Sequence, residues 1–304
     1  MKSCLIVNHK KEKCGVYQFG KLTYETLRRS KNYDFHYAEV ESFSELLTHL
    51  EAVRPNITIF NYHNLTQAWL NEDLIKRLST KTVQVAIGGH GCFAESPSLA
   101  KQIIIDPTFE ETDKEKKVGR LILDYTPPSA PIPNSVGSFG FGFMDKGWDR
   151  VAKAINSEFD TGVLNLHIPF SDFADPNGDG SKRVAKLVRE LLKPEIELNV
   201  SHAFMGTQQL LNWLSRNSIN IFAYDERKGL GISSTIDFAL SARRPIAISR
   251  SDMFRHIYHK KEILLDQNPI KKIIERGLEP LEEFYLKWSP ENLVSSYERI
   301  LDSL

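Results

Sequence analysis

The sequence predicts an α/β protein made of two successive domains, each a parallel sheet wrapped by helices, followed by a helical tail. Three observations predict it. Short apolar runs of strand length alternate with segments of helical period along most of the chain. Glycine-bearing loops follow several of those runs, as at Cys14–Gly20, Gly88–Gly91, Gly140–Gly142 and Gly229–Gly231. Between two such series lies TPPSAPIPN, residues 126–134, with four prolines in nine residues, a composition that punctuates a chain and suits a linker. The expected division is residues 1–128, residues 135–268 and a tail over 269–304.

The first half reads in order as follows. Cys4–Asn8 is a buried strand, and the CGVYQFG loop after it leads into a helix ending at Leu27. Phe35–Val40 is a second strand. Ser42–Val53 is an amphipathic helix, with Ser42 as its cap and Glu45 three residues on. Ile57–Tyr62 is a third strand that delivers Asn61 and His63 to its carboxyl end. A helix over Trp69–Leu78 precedes the strand Val83–Ile87. His90 then stands among Gly88, Gly89 and Gly91, a setting that suits a cleft residue better than a packed core histidine. Gln102–Asp106 and Leu121–Asp124 are two further short strands, and the charge run Glu110–Lys117 between them reads as a solvated loop.

The second half restarts the alternation. Ser135–Phe139 is a strand, Gly140-Phe141-Gly142 a loop, and Lys146–Ile155 the start of a helix. Gly162–Pro169 is a strand, and the polar loop Asp172–Gly180 places Asp172 and Asp175 at the surface. Its DPNGDG stretch lacks the glutamate and flanking helices of a calcium loop. The helix Ser181–Leu192 follows, then the strand Ile196–Val200 ending at Ser201-His202, and the helix Thr207–Ser215. The strand Ile219–Tyr224 feeds Gly229-Leu230-Gly231, with Ser233 and Ser234 as caps of the next helix. Asp237 lies one turn inside that helix, and Pro245–Ser249 closes the set. In the tail, Pro269–Arg276, Leu281–Trp288 and Glu291–Leu301 each carry helical apolar spacing.

Composition narrows the function classes. Thirty-nine basic residues balance thirty-nine acidic ones, so no global field draws the chain to nucleic acid or anionic lipid. Hydrophobic residues at 41% and charged residues at 26% are those of an ordinary globular protein. Three cysteines without metal-ligand spacing fit a reducing, cytoplasmic compartment. The apolar run in MKSCLIVNHKK is too short for a secretory signal. No apolar run reaches the roughly 18–20 residues of a membrane span.

Two α/β halves, a proline-rich linker and a helical tail resemble the GT-B glycosyltransferases, nearest to the retaining group 1 family. Residues 135–258 carry the resemblance. Gly137-Ser138-Phe139-Gly140 with Lys146-Gly147-Trp148 is similar to the first donor-domain strand, glycine loop and Lys-Gly helix start. Gly229-Leu230-Gly231-Ile232 before Asp237 is similar to the glycine turn and ribose-binding carboxylate, and Arg244-Pro245-Ile246 to the strand after it. The resemblance implies two Rossmann-like domains facing a cleft and transfer of a sugar from a nucleotide-sugar donor, which is a substrate and not a cofactor. Lys146 would meet the diphosphate, and His90 would face the sugar or the acceptor. Gly140, Phe141, Gly142, His202, Gly229, Gly231, Ile232, Ser233, Ser234 and Asp237 would line the donor site, with Gly15 and His63 on the acceptor side. The chain departs from the family in three places. Gly140 stands where an arginine is common, six residues before Lys146. Of the paired glutamates around the glycine turn, the second falls at Asp237, one residue displaced, and the first at Lys228 or Gly229.

No metal is implied, because Lys146 supplies the cation and no convincing acidic pair ends a strand. The acceptor remains open between a saccharide, a lipid-linked sugar and another hydroxyl-bearing group, a modified nucleic-acid base included. Two other classes stay in play: a nucleotide-sugar epimerase on the same fold, and a non-catalytic nucleotide-sugar-binding protein. A nicotinamide dehydrogenase is disfavoured, since Gly15 and Gly20 do not make the G-x-G-x-x-G fingerprint.

Overall fold

A computed structural model describes residues 1–87, 96–172 and 175–304. The chain divides into two compact units. One comprises Met1–Leu121 with Leu230–Ile232 and Lys287–Leu304, and the other Ile122–Gly229 with Ser233–Leu286.

The first unit runs β1 (Lys2–Asn8), α1 (Gly15–Leu27), β2 (Tyr33–Glu39), α2 (Phe43–Val53), β3 (Ile57–Tyr62), α3 (Glu72–Lys76), β4 (Lys81–Ala86), β5 (Lys101–Ile104) and β6 (Glu115–Lys117). Its six strands are parallel in the order β2-β1-β3-β4-β5-β6. Every residue of β3 is buried, as expected of a parallel strand covered on both faces. Leu5, Val7, Phe60 and Leu46 form a core on one of those faces. The Ser42 hydroxyl accepts from the Glu45 amide at 3.3 Å, the cap its spacing announced.

The second unit runs β7 (Ile132–Phe139), α4 (Trp148–Glu158), β8 (Gly162–His167), α5 (Asp179–Leu191), β9 (Ile196–Ser201), α6 (Thr207–Leu214), β10 (Asn217–Phe222), α7 (Thr235–Ser241), β11 (Ile246–Ile248), α8 (Ile270–Arg276) and α9 (Glu282–Lys287). Its five strands are parallel in the order β11-β10-β7-β8-β9. The chain winds outward from β7 to β9, then crosses back to lay β10 on the other side of β7. That reversal opens a crevice at the carboxyl ends of β7 and β10, where open α/β sheets place their ligands. α10 (Pro290–Asp302) packs with the first unit, its Asp302 carboxylate accepting from the Tyr33 hydroxyl at 2.6 Å.

Four local expectations need correction. Leu121–Asp124 forms no strand; the Leu123 amide donates to the Ser241 hydroxyl at 2.8 Å instead of to a ladder. Within the charge run, Glu115–Lys117 forms the edge strand β6, and charge is how exposed edges are kept from pairing further. β7 begins three residues early, inside the proline cluster. Its register shifts there, with Asn134 at φ 54, so Pro133, which has no N–H to give, sits at an irregularity. Asp175 is not a surface residue but is 9% exposed.

The Asp175 carboxylate accepts from the Gly180 amide at 3.0 Å, the Ser181 amide at 2.8 Å and the Ser181 hydroxyl at 2.7 Å. It therefore satisfies the orphan donors at the start of α5. Burial pushes its pKa up, but these hydrogen bonds outweigh burial and hold it below the ordinary carboxyl value. Asp175→Ala should cost roughly 1–2 kcal/mol of stability, the range for a lost helix cap. Because the folded pKa is depressed, this contribution is complete above the ordinary carboxyl pKa of about 3.9 and is lost as pH falls through the lower folded value. Chemical denaturation of the two proteins at neutral pH and in acid checks both statements; a constant difference down to the acid limb would contradict the second.

Candidate functional site

The crevice of the second unit is built from the loops after β7 and β10. Gly140 directly follows β7, at φ +149. A Cβ there would lie 3.1–3.3 Å from Cδ, Cε and Nζ of Lys146, so the bare glycine lets the lysine stem lie across the strand end. Met144–Lys146 is a single 3₁₀ turn closed by Gly147 at φ 65. Lys146 thus ends a tight turn and does not open the helix that the sequence suggests; α4 starts two residues later, at Trp148. The reason is Gly147, whose left-handed backbone breaks the helical path. The buried Trp148 indole fixes the turn by donating to the Phe143 carbonyl at 2.9 Å.

Two staples hold this turn to the loop after β10. The Asp225 amide donates to the Asp145 carbonyl at 2.7 Å. Arg150 of α4 donates through Nε to the Ala223 carbonyl at 2.8 Å and pairs with Asp225 at 2.6 Å. Arg227 in turn pairs with Asp145. Lys146 is different. Its Nζ donates to the Tyr224 hydroxyl at 2.6 Å, and among the described residues no carboxylate pairs with it. Behind that contact lies a buried cluster of hydroxyls. Tyr224 Oη is 3.2 Å from Thr235 Oγ1, which is 2.8 Å from Ser233 Oγ, which is 3.4 Å from Tyr224 Oη. The crevice therefore holds a positioned ammonium whose contacts are the uncharged hydroxyl of Tyr224 and the face of its ring, 4.1 Å from Nζ to the centroid, beside two arginines already matched by acids. Such a site suits an oxyanion that can accept from the ammonium, such as a phosphate.

The other expected residues are distributed more widely. Gly142 packs against α5, where a Cβ would fall 2.4 Å from the Ser181 nitrogen, and the Phe141 carbonyl accepts from the Phe143 amide at 2.7 Å. His202 directly follows β9, two strands from β7, with Nδ1 on the Ile168 carbonyl at 2.8 Å and its ring stacked on Phe170. Ser233, Thr235 and Asp237 are buried around the start of α7. Ser234 occupies the N-cap position in helical conformation and makes no side-chain cap. Gly229 has φ +75 with open space around it, while Gly231 and Ile232 group with the first unit.

In the first unit, the strand order reverses between β1 and β3, and Gly15 and His63 lie by that crevice. Asn61 Nδ2 donates to Asn8 Oδ1 at 3.0 Å and to the Val16 carbonyl at 2.8 Å. Gly15 is the first residue of α1. His63 Nδ1 accepts from the Leu65 amide at 3.2 Å, and burial lowers its pKa. His90 lies outside the described residues. Among those residues, no group of three His, Cys, Asp or Glu side chains could hold a metal, and no helix is long and apolar enough to cross a membrane.

No family model matches the sequence, and no curated protein matches it in a sequence search. Solved structures are similar to it in fold. HepE from Anabaena, in complex with UDP and glucose, superposes with a TM-score of 0.65 over the whole of both chains at 9% identity. The same is true of an alpha-glucosyltransferase in complex with UDP (TM-score 0.63, 99% and 100% of the two chains, 9% identity). The lipopolysaccharide outer core galactosyltransferase WaaB matches with a TM-score of 0.57 over both full chains at 12% identity. The chain has the GT-B fold. In this GT-B chain, the sheet with Lys146 at its switch point is the second of two Rossmann-like units. The Lys146–Tyr224 contact, the Arg150–Asp225 staple and the hydroxyl cluster went unread in the sequence. The available signal was Tyr224 itself, a polar ring closing an apolar strand run.

Proposed function

We propose that the chain is a glycosyltransferase that moves a sugar from a nucleotide-sugar donor to a hydroxyl-bearing acceptor. One observation carries the reading: an ammonium unmatched by any described carboxylate, held at the β7/β10 switch point of a GT-B fold. In the reaction, the bond between the anomeric carbon and the diphosphate oxygen breaks, and the diphosphate keeps the electron pair. The acceptor oxygen bonds to that carbon, and its proton passes to the leaving diphosphate or to solvent. Negative charge grows on the leaving oxygens, where Lys146 would stabilise it without having to move. Asp237 would bind a ribose hydroxyl, and Gly140 would leave room for the lysine beside the phosphates. Uridine nucleotides are the first donors to try, because HepE and the alpha-glucosyltransferase bind UDP-glucose. The acceptor lies among saccharides, lipid-linked sugars and nucleic-acid bases; the alpha-glucosyltransferase has been captured with DNA. The buried thiols of Cys4 and Cys14 suit a cytoplasmic enzyme.

Calorimetry with nucleoside diphosphates, then UDP release from nucleotide sugars with and without acceptors, tests the proposal. Nucleotide binding without any hydrolysis or transfer would favour a non-catalytic binding protein. The absence of an acid at Lys228 and Gly229 is what speaks for that second reading. Asp237→Ala should weaken nucleoside diphosphate binding by roughly 1.5–3 kcal/mol, the range for a hydrogen bond to a charged group. Unchanged affinity in a folded variant would remove Asp237 from the site.

A further inference from the structure

Lysine is a poor fixed charge. Its four-carbon stem carries about 2 kcal/mol of rotamer entropy, and a cation serves a transition state best when it is already in place. Something must hold Lys146. Its stem crosses the bare Cα of Gly140, which sets the path but not the end point. The end point is the Tyr224 oxygen, 2.6 Å from Nζ. Tyr224 is itself immobile: it is 4% exposed and packed on Phe254 at a ring separation of 4.7 Å.

The protons around that oxygen can be assigned. An ammonium only donates, so Tyr224 Oη accepts from Lys146 and must send its own proton elsewhere. The geometry offers Thr235 Oγ1 at 3.2 Å. Thr235 can then donate to Ser233 at 2.8 Å, and Ser233 donates back to Tyr224 at 3.4 Å. The three hydroxyls close a ring in which each donates once, and Lys146 is the donor from outside it. A carboxylate in the same place would hold the lysine more tightly but cancel its charge; a hydroxyl ring holds it and leaves the charge for a ligand.

We infer that Tyr224, backed by Ser233 and Thr235, is the positioning residue that fixes Lys146 as the diphosphate-binding cation. The inference rests on the functional reading above. Its test uses the full chain and UDP as the probe, in calorimetric titrations of the wild type, Tyr224→Phe, Lys146→Ala and the double variant. Tyr224→Phe keeps the ring on Phe254 and removes only the oxygen. It should weaken UDP binding about 5–10-fold, and Lys146→Ala about 10–30-fold. The double variant should bind no more weakly than Lys146→Ala alone, because Tyr224 acts through the lysine. A purely structural tyrosine would weaken binding equally in both backgrounds, and that result would overturn the assignment. So would a Tyr224→Phe protein with wild-type affinity while Lys146→Ala binds weakly, and in that case the functional reading survives. If wild-type protein does not bind UDP, or Lys146→Ala binds it normally, the reading of the site falls and this assignment falls with it.

Discussion

Lys146→Ala should lower turnover about 10²-fold or more, the size of effect seen when one preorganised donor is taken from a developing oxyanion. The loss belongs mainly to kcat, because charge on the leaving diphosphate is greatest in the transition state. Unfolding should change by only about 1 kcal/mol, the usual net worth of one hydrogen bond, since Lys146 is only part-buried and its described contacts are Tyr224 and the face of Gly140. The neighbouring arginines cannot substitute. Arg150 is spent on Ala223 and Asp225, and Arg227 on Asp145. Activity should also survive a chelator, because the cation is a side chain. Loss of activity in EDTA with recovery on adding a divalent ion would contradict that assignment. Near-normal turnover in Lys146→Ala would contradict the role of the lysine itself.

Legibility in the sequence followed how local the determining physics was. Buried parallel strands were plain, because Ile57–Tyr62 and Ile219–Tyr224 are short, mostly apolar stretches of strand length, and β3 and β10 are buried at every position. The Ser42 cap was plain because donor and acceptor are three residues apart. β6 was not, since a three-residue charged edge strand has no apolar alternation to show. Lys146 could be picked out as a cation after a glycine loop, but its surroundings could not. Its partner Tyr224 is 78 residues away, and Arg150 meets Asp225 across 75 residues. Only the strand order, which lays β10 beside β7, brings those pairs together. Asp175 was misplaced for the opposite reason. A polar, glycine-rich loop reads as solvated, yet here it folds back so that one carboxylate serves three donors of α5.

Gly147→Ala should be the most damaging small substitution in the second unit, in stability and activity together. Its φ of +65 is left-handed, a conformation that costs an L-residue with a Cβ roughly 1–2 kcal/mol. The added Cβ would fall 1.8 Å from the Ala223 carbonyl oxygen and 2.6 Å from an Arg150 nitrogen. No atom tolerates that approach, so the turn after β7 must move off the loop after β10, an overpacking cost of typically 1–3 kcal/mol. Together these remove roughly 3 kcal/mol, enough to lower the unfolding midpoint by several degrees. The same movement strains the Asp225–Asp145 and Arg150–Ala223 staples and draws Lys146 away from Tyr224. UDP affinity should therefore fall at temperatures where the variant is still fully folded. Gly15→Ala is the thermal control: it opens α1, and a Cβ there meets nothing within 4 Å, so its midpoint should stay level or rise slightly. A Gly147→Ala protein as stable as the Gly15 control would show that the two loops are not locked together. One that is destabilised but binds UDP normally would show that their locking does not set the position of the lysine.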